Sequence, residues 1–142
     1  MRTALIAAAL AVLSSTAAVA ETAPAPTTVR FAFETGAQTG KIMVALYNSA
    51  EGYSGGAPVK AVQVDVSAGQ HEAVFADLPA GDYAMKAFHD VDGNGRMNTN
   101  PFGMPTEPFA FSNNARGNMG PARWDAAHFA ASGAVEQTIT LR

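Results

Sequence analysis

From Val29 onward the chain alternates. VRFAFE (29–34) puts Val29, Phe31 and Phe33 on one face, the period of two that a half-buried strand requires. Similar runs follow at KIMVALY (41–47), VKAVQVDV (59–66), HEAVFADL (71–78), DYAMKAFH (82–89) and VEQTITL (135–141). In the last of these Val135, Gln137, Ile139 and Leu141 share a face, opposite Glu136, Thr138 and Thr140. Each run is bounded by Gly, Pro, Asn or Ser, and none keeps a helical period. The link HEAVFADL-PAG-DYAMKAFH reads as a hairpin, because Pro79 presets φ and Gly81 tolerates a positive one. Six such strands, with one more from 106–111, predict an all-β fold: an antiparallel β-sandwich of about seven strands over 29–142. A closed barrel is the structural alternative. The chain carries no internal repeat.

The residues before this region are of another kind. MRTALIAAALAVLSSTAAVA (1–20) has a basic start at Arg2, an apolar run from Ala4 to Leu13, and an A-x-A ending at Ala18-Val19-Ala20. That pattern predicts an export signal cut after Ala20, which directs the protein to the periplasm or the exterior. Its apolar run is too short for a permanent membrane span, and no later stretch predicts membrane insertion. ETAPAPTT (21–28) reads as an extended tether. Removing Arg2 with the signal takes Lys+Arg from 9 to 8 against 12 acids, a net charge of −4. Without a basic cluster to displace counterions, nucleic acid is excluded as a partner. The absence of cysteine rules out thiol catalysis, thiolate metal sites and disulfides.

Residues 90–128 break the rhythm with five Gly and four Pro, and only TEPFAF among them resembles a strand. A connection this long in a small domain is functional or disordered. Phe102, Phe109, Phe111 and Trp124 predict an ordered one packed on the sheets, and ARWDAAHF (122–129) predicts a turn or two of helix. Trp124, Phe129 and Met119 read as anchors of a satellite core. Ser112-Asn113-Asn114 reads either as side chains bonded to nearby backbone or as the rim of a ligand site, with the first preferred.

The candidate chemistry begins at Asp90. In DVDGNGRMN the oxygen donors of a calcium loop fall in order: Asp90, Asp92, Asn94, the Arg96 carbonyl and Asn98, with Gly95 at the sixth position. The twelfth position is Pro101, which supplies no carboxylate, so Glu107 is the residue expected to return and complete the shell. The competing reading is a tight Asx and glycine turn that binds nothing. His89 and His128, with Asp90 and Glu107, form the alternative of a transition-metal hydrolytic site. G-x-S-x-G, H-E-x-x-H and phosphate-binding glycine loops are all missing.

The stretch LPAGDYAMKAFHDVDGNGRMNTNPFGMPTEPFAFSNNARGNMGPARWDAAHF closely resembles the body of the DUF2141 family, exported bacterial proteins of unknown function. That family runs LPAGxYA, then HDxNGNGxxDxN, then GxPxExxxFSNNAxGxxGPPxFxxA, and the resemblance extends over roughly residues 40–142. It implies an export-targeted immunoglobulin-like or transthyretin-like sandwich with no established activity. Asn98 stands where the family often has Asp, and Ala122 where it often has Pro; the first change removes a carboxylate from the loop. The expectation is therefore an exported non-enzymatic sandwich, clipped by calcium, whose long loop faces an envelope partner or ligand. The alternatives are the metal-dependent hydrolase and a structural envelope protein that binds no metal.

Overall fold

The alternating runs become strands of two sheets in the computed structural model, which describes residues 18–20 and 22–142. The expected export signal falls almost wholly outside the described residues. The elements are β1 (Thr27–Glu34), β2 (Lys41–Tyr47), α1 (Ala50–Gly55), β3 (Lys60–Asp65), β4 (Glu72–Leu78), β5 (Gly81–Asp90), β6 (Phe109–Phe111), α2 (Trp124–Ala127), β7 (Phe129–Ala131) and β8 (Ala134–Thr140). One sheet has the order β4-β1-β8; the other runs β3-β2-β5-β6, with β7 also paired to β5. Pairing is antiparallel but for β1 and β8, which run parallel from Thr28↔Ala134 to Glu34↔Thr140. These are the first and last strands, so no tight turn joins them and their directions are free to agree.

The inward residues of both sheets meet in one core. Val29, Phe31 and Phe33 of β1 pack with Ile42, Val44 and Leu46 of β2, Phe75 of β4, Met85 of β5 and Ile139 of β8. Phe31 is at the centre, edge-on to Phe75 at 6.2 Å and to Phe129 at 5.9 Å. Truncating a ring so enclosed costs about 3–5 kcal/mol. β1 begins at Thr27, two residues into the expected tether, because the buried Thr27 Oγ1 accepts a bond from Gly133 N.

The Ser112-Asn113-Asn114 turn settles its two readings in favour of backbone bonding. Ser112 Oγ accepts from Met85 N and donates to Ala127 O. Asn114 Nδ2 donates to Thr138 O while its Oδ1 accepts from Thr140 N, so one side-chain amide continues the ladder along β8. Asn113 reaches the carbonyls of Ala126 and His128 and exchanges two bonds with Gln137. Both asparagines adopt positive φ, 60° and 50°, a region their short polar side chains tolerate.

A satellite cluster forms on the outer face of the five-stranded sheet, where Tyr53, Ala84, Phe111, Ala122 and Ala127 are buried with Trp124 against them. α1 was not expected from the sequence; Ser49 caps it by accepting from Gly52 N. β7 was also unforeseen, its three residues being too short to show a period. Trp124 anchors the satellite cluster as expected, whereas Phe129 packs on the main core against Phe31. Met119 and Phe102 do neither: both are exposed, on loop segments that leave the sheet rather than pack on it.

Tyr53 donates its hydroxyl to Ala122 O at 2.8 Å and meets Tyr47 and Trp124 edge-on. Burial first, and then the neighbouring Tyr47, push its pKa up to about 12 from 10.0. The fold thus favours the neutral phenol, a contribution intact below pH 10 and lost as pH rises toward 12. Tyr53→Phe removes a hydrogen bond, costing about 0.5–1.5 kcal/mol at neutral pH. The same variant makes the fall of melting temperature above pH 10 shallower, which pH-dependent thermal melts would read.

Candidate functional site

The site grows from the end of β5, and a glycine opposite it allows the approach. Gly40, with φ of +78°, leads into β2; a Cβ added there lies 2.0 Å from the Asp90 carbonyl oxygen. Any other residue forces this turn and the start of the loop apart. Lys41 then pairs with Asp90, which fixes where β5 stops.

Beyond Asp90 the chain turns on its own side chains. Asp90 Oδ1 accepts from Asn94 N at 3.1 Å and Oδ2 from Gly95 N at 2.7 Å. Gly93 and Gly95 hold φ near +75° and +77°, which closes the turn without a Cβ clash. Asp92 accepts from Asn94 N, Asn94 Nδ2 and Asn98 Nδ2, the last at 2.7 Å. Asn94 Nδ2 also donates to Asn98 Oδ1. Arg96 stays exposed, its N–H bonded to Asn94 Oδ1. After Asn98 the chain makes a short excursion through Pro101 and returns, with Thr99 bridged to Pro105 and Thr106 N bonded to Asn98 O.

That return brings in Glu107. Its Oε1 accepts from Val91 N at 2.9 Å and its Oε2 from Asn98 N at 3.0 Å, so it closes the loop from below. Asp90 and Glu107 are buried and Asp92 is exposed, and each offers an oxygen within 4.8 Å of those of the other two. Glu107 therefore supplies, from six residues further on, the carboxylate that Pro101 lacks. Carboxylates this close repel one another, and the converging N–H groups offset part of that. Hydrogen bonds from the Asn98 amide first, and then from the Asn94 backbone, hold the Asp92 carboxyl below its usual range. It is thus an anion throughout the neutral range.

The histidines stand apart from this cluster. His89 is fully buried, with Nε2 donating to Thr39 O at 2.6 Å and Nδ1 at 2.7 Å from Thr35 Oγ1. A carbonyl only accepts, so Nε2 carries the proton and both nitrogens are engaged in tying down the 35–40 turn. His128 Nδ1 donates to Trp124 O, and its ring stacks on Trp124 at 5.5 Å. Among the described residues, the cluster of side chains close enough to share a metal ion holds the three carboxylates and neither histidine. The four residues of the hydrolytic alternative are not brought together.

One feature of the sequence went unread. On the outer face of the five-stranded sheet, a groove of about 1220 Å³ lies between the strands and the long connection. Its signal was present in KIMVALY and DYAMKAFH, where Met43, Ala45, Tyr47, Ala84 and Phe88 make both faces of β2 and β5 apolar. Strands of that kind are covered on both sides.

Because Glu107 receives two backbone donors, Glu107→Gln leaves one of them facing an NH₂ group. Without calcium the variant should lose about 1–3 kcal/mol, several degrees in melting temperature, and exchange its Val91 or Asn98 amide hydrogen faster. Circular dichroism melts and hydrogen exchange check both.

No curated protein and no solved structure matches the chain. The family model described as an uncharacterized protein conserved in bacteria, DUF2141, matches residues 34–140, from the end of β1 through β8. With most of its length inside that match, the chain belongs to the DUF2141 family.

Proposed function

We propose that this is an exported, non-enzymatic β-sandwich protein, immunoglobulin-like or transthyretin-like in architecture. In this reading the loop after β5 takes calcium, and the long connection presents a binding face to an envelope partner or ligand. The observation that carries the metal reading is the convergence of Asp90, Asp92 and Glu107 within 4.8 Å from two separate segments. Calcium favours six to eight hard oxygens, and each carboxylate oxygen that accepts one N–H keeps a further lone pair. Asn94 and Asn98 already lie against Asp92, and turning either amide exchanges a nitrogen for an oxygen. The Arg96 carbonyl is the remaining candidate donor. Imidazole suits zinc, copper or nickel, so the remoteness of His89 and His128 supports calcium and a non-hydrolytic role.

Calcium titration of metal-free protein tests the reading. At about a hundredfold excess over Kd, calcium should add about 2.7 kcal/mol of stability. Asp92→Ala should weaken binding by about tenfold or more, and His128→Gln should leave it unchanged. A melting temperature that ignores calcium would leave a turn held by its own hydrogen bonds. Zinc outcompeting calcium, with His128→Gln costing more than Asp92→Ala, would reinstate the hydrolase. Export is checked separately: mass spectrometry of the native protein should find Glu21 at the N-terminus, and an intact Met1 contradicts it.

A further inference from the structure

The groove on the outer face of the five-stranded sheet has a floor set by register. One row across the strands is Gln63, Met43, Phe88 and Phe109; the next is Ala61, Ala45, Lys86 and Phe111. The two alanines sink the second row below the first, which makes a channel in place of a flat face. Met97, Phe102, Met104, Met119 and Pro121 of the long connection line it as well. Phe102, Met104 and Met119 are 89%, 62% and 103% exposed, so large apolar side chains stand in water around the mouth. Methionine is unbranched and adapts to irregular apolar shapes. At about 1220 Å³ the groove exceeds the roughly 300–1,000 Å³ of most small-molecule sites.

Its charge is as informative as its shape. Among the described residues Lys86 is the only charged one lining the groove, in a chain whose acids outnumber its bases. The ammonium lies at the α1 end, 4.3 Å from the Tyr53 ring centroid and 5.3 Å from that of Tyr47. It donates one bond to Tyr53 O, which leaves two of its three donors for a ligand. No carboxylate pairs with it among the described residues, and burial lowers its pKa from the ordinary lysine value. A single cation beside a long apolar channel complements one negative charge on a long apolar body. A phosphate monoester brings nearly two charges, a carboxylate one.

We infer that this groove binds a long-chain carboxylate, with the alkyl chain along the sheet floor and the carboxylate at Lys86. The inference rests on reading the long connection as a binding face, and not on calcium. Binding of hexadecanoate to the full protein is therefore measured in chelator, which also keeps the soap in solution. Calorimetry should show one saturable site. Affinity should fall about fourfold for each methylene removed, as burial of alkyl chain requires. Hexadecanol, which lacks the charge, should bind at least about tenfold more weakly. Lys86→Gln should erase the difference between acid and alcohol, and Lys86→Arg should keep it. Ala45→Trp, or Ala61→Trp at the more exposed edge position, should block both ligands without lowering the melting temperature. Absence of saturable binding overturns the proposal, as does an acid-to-alcohol ratio indifferent to Lys86→Gln. So does a dimer that Ala61→Trp dissolves, because a second copy would then be the occupant. Failure here alongside a successful calcium titration removes the groove proposal alone.

Discussion

Two backbone amides, those of Val91 and Asn98, converge on the buried carboxylate of Glu107, and the long connection takes its course from that convergence. A buried carboxylate is costly to desolvate unless it is hydrogen-bonded, so the bonds are a condition of its burial. Glu107 lies two residues before β6, which pairs with β5 through Phe88↔Phe109 to Lys86↔Phe111. The same residue thus ties the turn after β5 to the strand that returns beside it. Met97, Thr99 and residues 102–105, which line the groove, belong to the span held between these two ties. Loosening Glu107 would release the turn and this lining together.

The five-stranded sheet is apolar on both faces, and its outer face is covered unevenly. At one end α1, α2 and the 112–114 turn bury Tyr53, Ala84 and Phe111 in a small second core. At the other end the connection rises away from the strands and leaves Met43 and Phe88 in the lining of an open channel. Lys86 marks the boundary, its stem on the floor and its ammonium against the aromatic rings of the closed end. Complete coverage would bury more apolar area and add stability in proportion. Exposed Phe102, Met104 and Met119 are the consequence of its absence.

Most of the frame was legible because burial of one face imposes a period of two. Val29, Phe31 and Phe33 announced β1, and the buried face of β8 was read correctly from Ile139 and Leu141. Glu107 was legible as the returning carboxylate only because the loop pattern had a gap at Pro101. What was missed lacked a local signal. β7 has three residues, α1 has six and owes its start to one serine, and the parallel pairing of β1 with β8 links opposite ends of the chain. Phe102 and Met119 were misplaced because aromatic and apolar character predicts burial somewhere without saying against what. The groove was missed for a related reason: a period of two marks which face is buried and gives no answer for strands apolar on both.

The turn and metal readings of the loop were set against each other in the sequence, and the geometry makes them compatible. A turn that binds nothing needs the Asp90 oxygens on Asn94 N and Gly95 N, and these bonds are present. The same bonds hold the carboxylate beside those of Asp92 and Glu107. Ordering flexible ligands is a main cost of binding, so a loop already folded by its own hydrogen bonds lowers that cost. Repulsion among three carboxylates acts in the opposite sense: it weakens the empty turn and is relieved by a cation. Under the proposed calcium reading, the hydrogen bonds that shape the turn and the charges that strain it would therefore favour the same occupant.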